Sequence, residues 1–366
     1  MKPTASRPNN RVAVVFGTRP EIIKLAGIVR ELGSMAETIH LGQHTDPAMT
    51  EVIWAGTGMG APTVSLAVDR SSRAAQIGSG ITALAEYLER RAFRAVVVQG
   101  DTNSTLAGGL AGQSLGVPVV HVEAGLRSYD WHQPEEHNRR LTDHLSDVLC
   151  VPTELNRENL LSEGLRPERI HRTGNTIVEA VKRALPPSDV AARILQGHGL
   201  RAGKYVLSTI HRPESTNSPE TLEAILTSLH RLPISCTLVV HPRLADRVNA
   251  FDLQRLLAGL HQIGPTAYGE FLALVDNAAF VVSDSGGVQE EVSVLKQRMV
   301  VAREFTERPE VLGTFAHLVP PMDLSSGIND LARELSAPRA PLRDLESPYG
   351  DGTASTKIAS LIRSLI

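Results

Sequence analysis

Two carboxylates in this sequence each follow a short run of β-branched residues: Asp101 after Val96-Val97-Val98-Gln99-Gly100, and Glu123 after Val119-Val120-His121-Val122. Loops at the ends of buried strands are where folds commonly place their chemistry, and two such acids one strand-helix unit apart reach one cleft rim. Paired acids suit proton transfer, one taking a proton while another returns it. Asp101 also reads as a helix-capping aspartate; Glu123, flanked by the glycine turn of Ala124-Gly125, fits that role less well. A third acidic group lies in Pro134-Glu135-Glu136-His137-Asn138-Arg139-Arg140. Four-residue spacing on a helix pairs Glu135 with Arg139 and Glu136 with Arg140. Either these are ordinary surface pairs, or an arginine holds one carboxylate ionised while a less solvated neighbour keeps its proton.

Other motifs suit an anion. Gly17-Thr18-Arg19-Pro20-Glu21-Ile22-Ile23-Lys24 brings a helix start and two cations together, a ready phosphate site, although Arg19 and Lys24 read equally well as solvated charges. His211, in His211-Arg212-Pro213-Glu214, follows an apolar run, and His241-Pro242-Arg243 follows the next. The most specific element is Ser283-Asp284-Ser285-Gly286-Gly287-Val288-Gln289-Glu290-Glu291. Its serine and glycines open a helix whose backbone amides can receive a diphosphate, and the acid one turn on can accept from a ribose diol. By contrast, Gly56-Thr57-Gly58-Met59-Gly60 imitates a dinucleotide fingerprint without its preceding strand or its spacing. It reads as a loop, so no nicotinamide cofactor is expected.

These motifs require strands and helices in alternation. Apolar runs at Val12 to Phe16, Ala95 to Val98, Val117 to Val122, Tyr205 to Thr209, Thr237 to Val240 and Phe280 to Ser283 alternate with helix-period segments, which predicts parallel sheets in an α/β fold. Ile22, Leu25, Ala26, Val29 and Leu32 trace the first amphipathic helix. Arg183 to Asp189, rich in turn formers, is the candidate linker, so the chain reads as two doubly wound domains facing a cleft. With 366 residues, 42% hydrophobic, two domains are the natural expectation. The net charge of -3 gives no basic face for nucleic acid or an anionic membrane, and no run approaches the length needed to span a bilayer. Cys150 and Cys236 lack metal-ligand spacing and read as buried thiols, so no metal site is expected. A reducing cytoplasm is the expected setting.

In order along the chain, Phe16 to Glu21, Gly100 to Thr102, His121 to Arg127, Pro134 to Glu136, Asn138-Arg139, Thr173 to Thr176, Ser283 to Gly287, Thr306 to Glu310 and Pro348 to Gly352 resemble the motifs of the non-hydrolysing UDP-N-acetylglucosamine 2-epimerases. The resemblance implies two Rossmann-like domains in a glycosyltransferase-B type fold: residues 1–183 with the carboxylates, 184–350 binding UDP, and a last helix in 351–366 crossing back to the first domain. It implies reversible conversion of UDP-N-acetylglucosamine to UDP-N-acetylmannosamine through loss of UDP to 2-acetamidoglucal and re-addition, without a cofactor, in a homodimer. Arg19, the catalytic His211 and the Ser285-Gly286-Gly287 nest match groups that hold the diphosphate leaving group, and Lys24 and Arg308 match substrate-binding residues. Glu291 matches the ribose acid and Phe271 the uracil-pocket residue, while Asp101, Glu123 and Glu135, tuned by Arg139, match the essential carboxylates.

There are departures. Bacterial members often bind a second UDP-N-acetylglucosamine as activator through a Gln-His-x-x-Gln-like stretch and a later arginine; here Gln43 and His44 are followed by Asp46, and Gly80 stands where that arginine aligns. Neighbouring readings make different predictions. A hydrolysing 2-epimerase releases free N-acetylmannosamine, a glycosyltransferase of the same fold transfers to an acceptor, and a UDP-sugar sensor binds without turnover.

Overall fold

A computed structural model describes residues 10–42, 58–335 and 337–366. Gln43, His44 and Asp46 lie outside the described residues, as do Gly56 and Thr57; of the glycine-rich lure, Gly58 to Gly60 form turn and loop. The chain divides into two compact units, one of residues 1–180 with 349–366 and one of residues 181–348.

The first unit is built on a parallel sheet of β1 (Arg11–Phe16), β2 (Ala36–Leu41), β3 (Val64–Leu66), β4 (Phe93–Gln99), β5 (Val119–Val122), β6 (Val148–Val151) and β7 (Ile170–Arg172), in the order β3-β2-β1-β4-β5-β6-β7. The alternation of side chains along each strand feeds two cores. Val12, Val14 and Phe16 with Ala95 and Val97 pack on one face, and Ala13 and Val15 with Val96 and Val98 pack on the other. Burial on both faces is why these strands read as unbroken apolar runs. The helix Ala354–Leu365 belongs to this unit; it covers the first core with Ile358, Ala359 and Ile362 and packs on the helix Arg19–Leu32.

The second unit repeats the scheme with β8 (Val206–Thr209), β9 (Cys236–Val239), β10 (His261–Ile263), β11 (Val281–Ser283), β12 (Met299–Ala302) and β13 (Ala316–Val319), all parallel, in the order β10-β9-β8-β11-β12-β13. In both sheets the strand order reverses beside the first strand, between β1 and β4 and between β8 and β11. Open α/β sheets bind ligands outside the carboxyl ends of their strands at such a switch point.

The expected linker is shorter than its composition suggests. Arg183 and Ala184 close the helix Ile177–Ala184, and Ser188 and Asp189 open the helix Ser188–Gly197, leaving three residues between them. Pro187 at the second N-cap accounts for the turn-like appearance, because proline before a helix start reads as a break.

Candidate active site

Within the first unit the turns after β1, β4 and β5 meet. Thr18 caps the helix Arg19–Leu32 in a capping box with Glu21, whose carboxylate is buried and accepts from the Gly17 and Thr18 amides at 3.0 and 2.7 Å. Its other oxygen takes the Thr102 hydroxyl at 2.9 Å and the Thr105 hydroxyl at 3.3 Å, from the turn after β4. Burial raises the Glu21 pKa to about 6 against the pull of these hydrogen bonds. Gly17 is required by close approach, since a β-carbon there would fall 2.0 Å from the Ser104 hydroxyl. Arg19 and Pro20 open the helix, with Arg19 half-buried and Lys24 fully so.

Glu123 is buried, with a left-handed backbone at φ 70°, a conformation that costs a non-glycine residue energy and clusters at functional sites. Lys24 forms a short ion pair with its Oε2, and the same oxygen receives the Gln99 amide at 2.9 Å and the Asn175 amide at 3.5 Å. Lys24 is therefore tied to a carboxylate and is not one of the solvated charges its spacing allowed. Asp101 lies after β4 but does not cap the next helix; Thr102 does, accepting from the Thr105 amide. The Asp101 carboxylate instead pairs with Arg139, and its carbonyl accepts from Asn138 at 2.9 Å.

The helix Pro134–Leu145 departs from the expected pairing. Arg139 turns to Glu136, at 2.5 Å, and to Asp101 rather than to Glu135. Arg139 and Glu136 are both buried, and a buried guanidinium and carboxylate left apart would cost far more than an exposed pair gains. Burial pushes the Glu136 carboxyl up, but the Ser128 amide and the Arg139 charge more than offset it and hold its pKa below the usual range. Glu136 with Arg140 is as the spacing suggests, at 2.8 Å. Glu135 stands half-buried on the first turn and makes no hydrogen bond or ion pair among the described residues.

The second unit gathers a different set. Asp284, buried just after β11, accepts from the His211 and Arg212 amides and from His211 Nδ1 at 3.1 Å. Burial raises the Asp284 pKa, yet the His211 contact brings it below the ordinary value. That bond fixes the imidazole's orientation and leaves Nε2 facing elsewhere. His241 caps its own helix through Nδ1 and has its pKa lowered by burial and by the His211 charge. Ser285 is the N-cap of the helix Gly286–Leu295 but its hydroxyl makes no capping bond. Beside this helix start Arg308 pairs with Glu290 at 2.6 Å and with Glu307, and a β-carbon on Gly286 would lie 2.5 Å from the Arg308 guanidinium. Arg303 and Arg212 reach the same Glu307 at 2.8 and 3.3 Å. Glu291 is buried on this helix and Phe271 half-buried on Tyr268–Asn277, which packs against it. Among the described residues no group of three or more His, Cys, Asp or Glu side chains is placed to hold a metal, and no helix is long and apolar enough to cross a membrane.

Residue types alone missed Gln99 and Glu21, whose partners come from other turns. Asp284 lies inside the serine-glycine motif without a role read for it, and Asp143, three residues past Arg140, carries no sequence signal of its own.

Two Rossmann-like units of this topology make a glycosyltransferase-B type fold. The chain belongs to the UDP-N-acetylglucosamine 2-epimerase family, whose sequence profile matches residues 30–363. It is 35% identical over 362 residues to the UDP-N-acetylglucosamine 2-epimerase of Methanococcus maripaludis, covering 96% of this chain and 98% of that one. It is 30% identical over 372 residues to the UDP-2,3-diacetamido-2,3-dideoxy-D-glucuronate 2-epimerase of Pseudomonas aeruginosa, covering 97% of this chain and 100% of that one. The crystal structure of the Methanocaldococcus jannaschii UDP-GlcNAc 2-epimerase in complex with UDP-GlcNAc and UDP superposes with a TM-score of 0.88 at 34% identity, over 97% of this chain and 99% of that one.

Proposed function

We propose that the chain interconverts UDP-N-acetylglucosamine and UDP-N-acetylmannosamine without hydrolysis. The observation that carries this reading is Glu123, a buried carboxylate in a left-handed turn, held by Lys24 and Gln99 and accompanied by Asp101 on the neighbouring strand's turn. Family membership supports the substrate class.

The carbon-2 proton of the sugar is barely acidic. As the bond between carbon 1 and the diphosphate oxygen breaks, the electron pair leaves with UDP and the cation-like carbon 1 acidifies its neighbour. A carboxylate takes the carbon-2 proton and a carbon-1 to carbon-2 double bond forms, giving 2-acetamidoglucal. Reversal adds UDP oxygen to carbon 1 and delivers a proton to the opposite face of carbon 2. Asp101, Glu123 and Glu135 are the proton-handling set, Arg139 fixes Asp101, and Arg19, His211, Ser285 to Gly287 and Arg308 take up the charge growing on the diphosphate. Glu291 accepts from the ribose and Phe271 lines the uracil pocket.

Proton NMR of UDP-N-acetylglucosamine with the protein in deuterium oxide tests this. The expected result is UDP-N-acetylmannosamine, with deuterium at carbon 2 of both epimers. Free N-acetylmannosamine with stoichiometric UDP contradicts the non-hydrolysing course. An unchanged spectrum contradicts the substrate, and the diacetamido glucuronate of the Pseudomonas relative is then the next compound to try.

A further inference from the structure

His121 is two residues before Glu123 on β5, fully buried, and both its ring nitrogens meet acceptors. Nδ1 lies 2.7 Å from Asp143 Oδ1 and Nε2 lies 2.8 Å from the carbonyl oxygen of Gly100. A carbonyl oxygen cannot donate, so Nε2 carries a hydrogen. Asp143 is buried among donors: Arg127 at 2.8 Å and the Gly125 amide at 3.2 Å, besides His121. With the Arg127 guanidinium and the Gly125 amide both donating to it, Asp143 is a carboxylate, and Nδ1 therefore also carries a hydrogen.

The surrounding charges agree. Ion pairs run from Asp101 to Arg139, Glu136, Arg140, Glu163, Arg127 and Asp143, ending at His121. Along that run four carboxylates stand against three guanidiniums, with His144 3.8 Å from Glu163 at its side, so a positive charge on His121 is favourable.

We propose that His121 is a positioning residue: a buried imidazolium that, with Asp143 as counter-ion, clamps the two acid-bearing turns. One end of the clamp holds the carbonyl of Gly100, which has φ 75° and precedes Asp101. The other holds the amide of Gly125, which has φ 83° and sits two residues after Glu123. Both turns are left-handed and strained at Glu123, so neither is fixed by its own backbone preference. A neutral ring would present a bare nitrogen to one of two acceptors, and that end of the clamp would open.

The effect on turnover rests on the function proposed above; the ring's charge does not. Protein labelled with ring-¹⁵N histidine gives thirteen ring systems, and His121→Gln identifies the one that disappears. At pH 7.5 the His121 ring is expected to show two protonated nitrogens; one protonated and one bare nitrogen overturns the proposal. Asp143→Asn removes the counter-ion while keeping the side chain's size. In the NMR-monitored reaction it is expected to lower kcat about 100-fold, the scale of an ångström's misplacement, with KM changed less than threefold. A kcat within threefold of wild type, or a loss confined to KM, overturns it. If the wild-type protein does not turn over UDP-N-acetylglucosamine, the epimerase reading fails and the ring spectrum still decides the clamp. If Asp143→Asn does not fold, the wild-type spectrum decides it alone.

Discussion

In the first unit the turns after β4 and β5 carry carboxylates, each held by a cation: Asp101 by Arg139 and Glu123 by Lys24. In the second, the turns after β8 and β11 carry His211 and an uncapped glycine helix start, with Arg212, Arg303 and Arg308 drawn together by Glu307. The two sheets share a topology and a switch point, yet one presents acids and the other presents donors. Under the proposed function the same scaffold would supply proton chemistry in one unit and anion recognition in the other, the difference lying in the residues of the turns rather than in the fold.

The largest effect expected is on Glu123→Gln. It keeps the shape of the side chain and most of its hydrogen bonding, but removes one of the proposed proton-handling carboxylates and its ion pair with Lys24. Turnover followed by NMR should fall about 1000-fold, in the range of a lost general acid or base. Rates near wild type would move the proton chemistry elsewhere.

Glu136→Gln strips one charge from between Arg139 and Arg140. Breaking a buried pair typically costs 3 kcal/mol or more, so the urea midpoint should drop by the equivalent of about 3 kcal/mol. An unchanged midpoint would mean that the network around the acids contributes no stability.

Glu21 gives a pH signature of the first unit's turns. Its folded pKa of about 6 lies above the ordinary 4.5, so between these values the folded chain holds more protons than the unfolded one. This contribution to stability is then present at low pH and lost as pH rises from about 4.5 to 6. Over that window wild type should lose up to about 2 kcal/mol relative to Glu21→Gln. Parallel stability curves for the two proteins would contradict the assignment.

The smallest expected effect belongs to the second unit. His211→Gln keeps a donor but loses the Asp284-fixed ring, and UDP affinity measured by calorimetry should weaken about tenfold, near 1.4 kcal/mol. Tight binding in this variant would remove His211 from the diphosphate site.

Much of this comparison is legible in the sequence. The apolar runs at β1, β4, β5, β8, β9 and β11 stand out because both their faces are buried, and they are the strands that carry the motifs. The runs at β6 and β12 are just as apolar and buried yet are not among the six runs read from the sequence, and the three-residue strands β3, β7 and β10 are too short to show a period. The Glu135-Arg139 pairing failed because helix spacing allows both three- and four-residue partners, and burial, invisible in the sequence, chose Glu136. Asp101 was open to a capping reading that Thr102, one residue on, takes instead. The left-handed turn at Glu123 and the clamp through His121 depend on strands 20 or more residues apart meeting in the sheet, which residue spacing does not encode.

Under the proposed function, acids of the first unit transfer protons while the second unit binds UDP. Calorimetric titration of UDP into Glu123→Gln beside wild type tests it most directly. Affinities within about twofold of each other, under about 0.5 kcal/mol, are expected, in a variant that does not turn over. A tenfold or greater loss of UDP affinity on changing Glu123 would contradict that division of labour.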